Sequence, residues 1–421
     1  MRHQIGHKIR NQIHQFSGEL SQGLGKVKRR FIEEMIYGLQ ARGSVRLTEI
    51  ARSLDEPIKL CKTHERLCRN LSDSIIREVL GRHILKNGSS HIKEDTLLIV
   101  DPSDIIKKYA QKMEHLCLVR DGSEGAIGNG YWLCLIVGAE VGSTRIIPLV
   151  HSLWSQEAPG FTSENEEVLS LIGSVRSKTK GRGIFVIDRG GDRREIYKEL
   201  VPKGYRFLIR QRGDRYLLYR GKKFETLNLA KKCKLPYSET VVKEKDGKET
   251  VYNIEFGYLP VRLPEYPDIQ LWLVVAKGFG DKPMMLLTTE TMRKNRKRLW
   301  WAVQAYITRW RIEDTIRYIK QSYQIEDVRV LTYTRLKNLM MLVFACFFFA
   351  AVWLGLKAKL NILALHVMKA AQCLFGLPNF VYYTLAKGIK EILLSVGKGP
   401  LYPRGFYSIE QPFQINLFDD Y

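Results

Sequence analysis

Thr96-Leu97-Leu98-Ile99-Val100-Asp101 and Gly183-Ile184-Phe185-Val186-Ile187-Asp188 are two short apolar runs, each ending in a carboxylate. Each predicts a buried strand with an aspartate at its C-terminal end. In open α/β sheets that edge is where ligands sit. Between the two runs, residues 131–138 and 144–149 read as two further strands. Residues 163 to about 177 read as a helix that leads into the second run.

Three strands, a helix and another strand predict an RNase H-like α/β core with Asp101 and Asp188 at one edge. An aspartate ending a strand also serves as a turn former or helix cap, so the two acids need a third partner before they mean chemistry. Asp104 and Asp192 compete with them. Asp192 lies one helical turn past the strand end and is expected to cap or to face solvent, while Asp104 is expected to support the site or cap the segment after it.

The third partner is expected in the run from Ala305 to Lys320, Ala-Tyr-Ile-Thr-Arg-Trp-Arg-Ile-Glu-Asp-Thr-Ile-Arg-Tyr-Ile-Lys. No Gly or Pro interrupts it, and its apolar residues recur at helical spacing. Tyr306, Arg309, Glu313 and Lys320 fall within about a 60° arc of one face. Ala305, Ile312, Ile316, Ile319 and Tyr323 form an apolar stripe beside them that can pack on a core. A polar row of this kind can equally be a solvated face. Glu326 and Asp327 are the competing acids, beyond Lys320 and outside the row.

In-line phosphoryl transfer uses two divalent ions roughly 3.5 to 4 Å apart, one at the attacking oxygen and one at the leaving oxygen. Mg²⁺ prefers oxygen ligands and keeps several waters, so few carboxylates suffice. The assignment is Asp101 as the ligand shared by two Mg²⁺ ions, with Asp188 and Glu313 each completing one; Mn²⁺ can substitute.

The spacing Tyr, two residues, Arg, three, Glu, six, Lys resembles the signature of bacterial DDE transposases of insertion-sequence family four. Ile-Val-Asp-Pro-Ser-Asp around Asp101 and Val-Ile-Asp-Arg-Gly-Gly-Asp around Asp188 are similar to the family's other two motifs, although Pro102 and Ser103 replace a more common polar pair. The resemblance covers roughly 95–345. It implies an RNase H-like (retroviral integrase-like) catalytic core, a metal-binding triad of Asp101, Asp188 and Glu313, and DNA contacts by Tyr306, Arg309 and Lys320. It implies nicking at the ends of an insertion sequence, attack by the freed 3′ hydroxyl and joining to target DNA, with a hairpin intermediate in some members. Trp272 or Trp310 would be the aromatic platform for a base flipped at such a hairpin. Partners would be double-stranded transposon ends and target DNA, with a homodimer on DNA. The alternative is a catalytically inactive DNA-binding regulator on the same scaffold.

Composition agrees with a nucleic-acid partner. Lys plus Arg number 67 against 44 Asp plus Glu in 421 residues, a formal charge of +23. Basic runs lie at 26–30, 176–182, 206–215 and 293–298, and binding to phosphate is expected to weaken with salt. Seven cysteines with no CxxC pair predict no disulfide framework. Nine histidines without an HExxH pattern imply no zinc site. The expectation is a cytoplasmic, DNA-associated bacterial protein. Residues 339–356 approach the length of a membrane span, but are expected to form a central helix buried on all sides rather than to enter a membrane.

The chain divides on texture into a helical DNA-binding region (1–94), the first part of the core (95–210), an all-β insertion (211–291), the catalytic-helix part with the buried helix (292–356), and a C-terminal helical region and tail (357–421). In the first region Leu47, Ile50, Ala51 and Leu54 mark one helix, Asp55-Glu56-Pro57 breaks it, and Lys59, Lys62, Arg66 and Arg69 line the next. In the third, Asp246-Gly247 followed by alternating Tyr252, Ile254, Phe256 and Tyr258 is a hairpin signal.

Overall fold

The computed structural model describes residues 2–107, 109–120, 122, 125–245, 248–292, 295–354, 381–396 and 399–400. Five helices come first: α1 (Arg2–Leu20), α2 (Lys26–Arg42), α3 (Leu47–Ser53), α4 (Leu60–Asn70) and α5 (Ile75–Ser89). Ile5, Ile9, Ile13, Phe16 and Leu20 recur at helical spacing along α1 and are buried. The break between α3 and α4 falls at 55–57 as expected, with Asp55 in the left-handed region at φ 50°.

The next elements are β1 (Leu97–Ile106), β2 (Cys117–Arg120), β3 (Ile127–Ala139), β4 (Ile146–Trp154), α6 (Glu164–Thr179), β5 (Ile184–Ile187), α7 (Arg194–Leu200) and β6 (Phe207–Arg210). β3 runs antiparallel between β1 on one side and β4 and β2 on the other. β5 pairs parallel with β1, and β6 parallel with β5. All four residues of β5 are buried, as parallel strands with both faces covered should be. Ser163 caps α6 by accepting from the Glu166 amide at 3.2 Å, and three glutamates fill its first turn where the helix dipole favours them.

The strands run differently from the sequence reading: β3 extends beyond 131–138 to Ile127–Ala139, and β4 runs over Ile146–Trp154 rather than 144–149. β1 does not end at Asp101 but continues to Ile106, because β3 is 13 residues long and offers a partner as far as Gly130. Pro102 is tolerated there: its missing N–H would face β5, which has already ended, so no ladder bond is lost. The short β2, with alternate residues buried, has no counterpart in the expected elements.

The β-rich stretch comprises β7 (Tyr216–Tyr219), β8 (Lys222–Glu225), a short α8 (Thr226–Lys231), β9 (Tyr237–Lys245), β10 (Lys248–Leu263), β11 (Tyr266–Lys277) and β12 (Met284–Thr288). β12 pairs with β6, so these strands extend the core sheet into one mixed sheet of twelve strands among the described residues. β9 and β10 pair antiparallel out to Lys245 and Lys248; Asp246-Gly247 lies outside the described residues.

The chain then returns through α9 (Arg296–Thr308) and α10 (Trp310–Tyr323) to α11 (Tyr333–Phe348), which runs on as a π-helical turn over Phe349–Trp353. The helix from Tyr333 to Trp353 is long and apolar enough to cross a membrane, yet 94% of its most apolar window is buried inside the protein. It packs against α2, α5 and β4, which is the central position expected of the 339–356 segment. α12 (Tyr382–Val396) confirms helix in the last part of 357–396; residues 355–380 and most of the tail lie outside the described residues.

Candidate active site

Leu97 to Val100 on β1 pair in register with Ile184 to Ile187 on β5. The parallel ladder ends there: Asp101 is the next residue of β1 and Asp188 the first residue after β5. Adjacent strands lie about 4.8 Å apart, so the two carboxylates start from neighbouring backbone positions. Beyond them β1 and β5 separate, which opens the sheet edge.

Asp188 is held by a local turn. Its Oδ1 accepts from the Gly190 amide at 2.7 Å and caps the 3₁₀ turn Arg189–Gly191. A Cβ at Gly190 would stand 2.9 Å from that oxygen, and one at Gly191 would stand 2.5 Å from the Ile187 side chain. The pair of glycines is therefore what lets the chain turn this tightly beside the carboxylate. Arg193 ties the same turn to α6 through Asn165 at 2.9 Å and Glu164 at 3.0 Å.

Glu313 arrives on α10, which packs against β1. The expected uninterrupted helix is two helices that meet at Arg309, whose backbone is still α-like at φ −53° and ψ −34°. At this junction the Arg309 amide bonds Tyr306 O and the Ile312 amide bonds Arg309 O, a three-residue spacing tighter than α. Thr308 Oγ1 donates back to Gln304 O at 2.8 Å, a bond that commonly bends helices. The apolar stripe survives the junction: Ala305, Ile312, Ile316, Ile319 and Tyr323 are all buried.

The Arg309 guanidinium joins the two elements. Its Nη1 donates to Asp101 Oδ1 at 3.1 Å and its Nη2 to Glu313 Oε1 at 2.6 Å. The Arg309 side chain is only 7% exposed, while that of Glu313 is 49% exposed. Burial pushes the Asp101 carboxyl up to about 7; Arg309 opposes that rise, and the charges on Asp188 and Glu313 reinforce it. Burial likewise acts against the Arg309 charge, but Asp101, Tyr306 and Glu313 outweigh it and leave the guanidinium more basic than usual. The three acids thus belong to one electrostatic unit around Asp101.

Tyr306 is buried at 2% exposure. Its hydroxyl accepts from Arg210 Nη1 on β6 at 3.3 Å, and the guanidinium carbons of Arg210 and Arg309 lie 5.5 and 5.6 Å from its ring centroid. Arg210 was only one member of a basic run in the sequence, with nothing to single it out. Lys320 Nζ donates to Asp104 Oδ2 at 2.9 Å and lies 3.4 Å from Glu326 Oε1. Asp104 is buried and also accepts from the Gly122 amide at 3.1 Å. Of the two roles expected of Asp192, cap or solvent-facing residue, it takes the first: it stands at the C-cap of the Arg189–Gly191 turn, is buried, accepts from the Arg212 amide at 2.9 Å and pairs with Arg215. Trp272 is packed against Tyr258, whereas Trp310 is partly exposed beside the junction.

Many other cations are spent internally. Arg206 and Arg298 share Glu290 and Asp95, and Arg30 and Arg66 share Glu34 and Glu56. Arg293 and Lys294 lie outside the described residues. Six cysteines, at 61, 68, 117, 134, 233 and 346, are free thiols.

The three acids offer hard oxygen donors of the kind a divalent cation takes, and the mutual repulsion of Asp188 and Glu313 with the buried Asp101 favours a cation among them. Among the described residues, however, no three His, Cys, Asp or Glu side chains are gathered closely enough to hold a metal ion. The donor chemistry fits such an ion, while the cation between Asp101 and Glu313 in this state is Arg309.

No curated protein matches the sequence. A piggyBac transposase, solved by cryo-electron microscopy as a synaptic complex with hairpin DNA, aligns with 93% of this chain and 77% of its own at 11% identity and a TM-score of 0.44. Residues 149–349, which include Asp188 and Glu313 but not Asp101, match the family model of the transposase DDE domain, and that match supports a DDE transposase.

Proposed function

We propose that this protein cuts DNA at the ends of an insertion sequence and joins them to target DNA, with Asp101, Asp188 and Glu313 as its metal-binding triad. The observation that carries the reading is the placement of Asp101 and Asp188 directly after the last registered pair of the parallel β1–β5 ladder, with Glu313 brought to Asp101 from a helix more than a hundred residues later. The strand order β4-β3-β1-β5-β6, with β3 reversed, supports an RNase H-like core.

In this reading the triad holds two Mg²⁺ ions, which when bound would activate the attacking oxygen and stabilise the leaving one. The chain's own residues position the DNA. Arg309 offers a planar fork suited to a phosphate, the Tyr306 ring lies against its guanidinium, and Lys320 supplies a point charge one helical stretch away. Helices α1 to α5 would recognise the transposon end, and synapsis of two ends would require a dimer on DNA. The Tyr306–Arg309–Glu313–Lys320 spacing supports insertion-sequence family four.

The test is cleavage of a labelled duplex carrying the end of the flanking element, with Mg²⁺, by the parent and by Asp188→Asn. Metal-dependent nicking by the parent alone is expected. Binding without nicking by the parent would instead favour a DNA-binding regulator on this scaffold.

A further inference from the structure

Arg309 combines three features that a simple phosphate-binding arginine does not need. It is nine-tenths buried, it bridges two of the three acids, and its Nε has no hydrogen-bond partner among the described residues. The bridge is asymmetric: Asp101 is enclosed, while Glu313 is half exposed and reaches inward to the guanidinium. A charge-assisted bond of 2.6 Å is a strong one.

A divalent ion seated on Asp101 and Glu313 would share their oxygens with this guanidinium. An ion on those oxygens would compete with the guanidinium for the same lone pairs at Asp101 Oδ1 and Glu313 Oε1, and repulsion between the two cations adds to that competition. Loading of metal therefore requires the guanidinium to leave at least one carboxylate. In the bridge each carboxylate takes a single N–H of Arg309 and Nε is unused, whereas a phosphate can take two N–H groups of the fork at once. The backbone at Arg309 is also the point where α9 and α10 meet through three-residue bonds rather than a regular ladder, so a shift there disturbs few helical bonds.

We propose that Arg309 is an internal counter-ion that keeps the Asp101–Glu313 pair from binding divalent metal until a DNA phosphate draws its guanidinium away. This rests on the reading of Asp101, Asp188 and Glu313 as metal ligands. It makes metal and DNA binding mutually favourable, and linkage requires the effect to be reciprocal. Free protein in a metal-rich cell would then remain unloaded, and loading would follow capture of DNA.

The experiment is Mn²⁺ titration, followed by calorimetry and by the spin-resonance signal of free Mn²⁺. It compares the parent, Arg309→Gln and Arg309→Lys, each without DNA and with saturating short duplex. The parent should bind Mn²⁺ at least about tenfold more tightly with duplex than without. Arg309→Gln should reach the tighter affinity without DNA and gain little from it. Arg309→Lys, which keeps the charge but cannot bridge both carboxylates as a fork, should fall between them and guards against a fold defect in the glutamine variant. Equal Mn²⁺ affinity of the parent with and without duplex, or of parent and Arg309→Gln without it, overturns the counter-ion role while leaving the metal site standing. Failure of all three proteins to bind Mn²⁺ under any condition overturns the metal-ligand reading itself, and the counter-ion role with it.

Discussion

Val100 and Ile187 are the last registered pair of the parallel β1–β5 ladder, and the next residue on each strand is a carboxylate. The pairing fixes where Asp101 and Asp188 begin, since a one-residue slip of β5 against β1 would put the two carboxylates on opposite faces of the sheet. Replacing either with asparagine preserves shape and removes charge. Mg²⁺-dependent nicking should fall by about two orders of magnitude or more in each variant, beyond the 10–100-fold that accompanies loss of a group outside the metal's ligands. Gel analysis of nicked product against time checks it, and a loss of only a few-fold would remove that aspartate from the triad.

Lys320 is tied to the buried Asp104, so its removal affects the fold as well as any DNA contact. Among the described residues, Lys320→Ala leaves Asp104 with the Gly122 amide as its hydrogen-bond partner, and an undercompensated buried carboxylate costs about 1–3 kcal/mol. Urea unfolding should show that loss. The double variant Lys320→Ala with Asp104→Asn should recover part of it, because the buried charge is gone. If DNA affinity drops equally in both variants while stability recovers in the second, the ammonium contacts DNA directly. Recovery of affinity together with stability would make Lys320 a structural residue.

Much of this arrangement was legible because the relevant signals are local. The runs at 96–100 and 183–187 are short and apolar, as buried strands are, and the apolar stripe through Ala305, Ile312 and Ile319 faced the core as its spacing required. What was not legible depends on partners distant in sequence. Whether β1 stops at Asp101 is decided by the length of β3, and whether the inserted strands form a separate unit is decided by the β6–β12 pairing. Arg210 and Asp192 looked like ordinary members of charged runs, and only the fold gives one Tyr306 and the other Arg215. The helix junction at Arg309 lacks a Gly or Pro to announce it; it follows from the Thr308 hydroxyl and the pull of Asp101 on the guanidinium.

His151, on β4, is buried with its ring 4.7 Å from that of Phe344, and its Nδ1 has no hydrogen-bond partner among the described residues. Burial, with a smaller contribution from Arg77, depresses its pKa from 6.5 to about 3. The unfolded chain therefore takes up a proton below pH 6.5 that the folded protein refuses. The stability this neutral ring contributes is present above that value and is lost as pH falls toward about 3. His151→Phe should flatten the acid limb between pH 6.5 and 5, with the two proteins diverging by up to about 1.4 kcal/mol per pH unit. Chemical unfolding across that range checks the slope, and parallel curves would show that His151 titrates normally.

Glu313 and Glu326 are the two glutamates that could complete the triad, and their surroundings separate them. Glu313 meets Arg309 beside Asp101, whereas Glu326 lies against Lys320 beyond the end of α10. Glu313→Gln removes one charge from the Asp101 unit without changing its shape, so cleavage should be abolished while DNA affinity measured in Ca²⁺ stays within about threefold of the parent. Glu326→Gln should leave cleavage largely intact, because its charge acts on Lys320, already paired with Asp104, and on Lys107, and not on Asp101. Side-by-side nicking assays at equal DNA occupancy decide between them. Cleavage by Glu313→Gln at the parental rate, with loss in Glu326→Gln, would move the third ligand to the turn after α10 and leave Glu313 as no more than the carboxylate that holds Arg309.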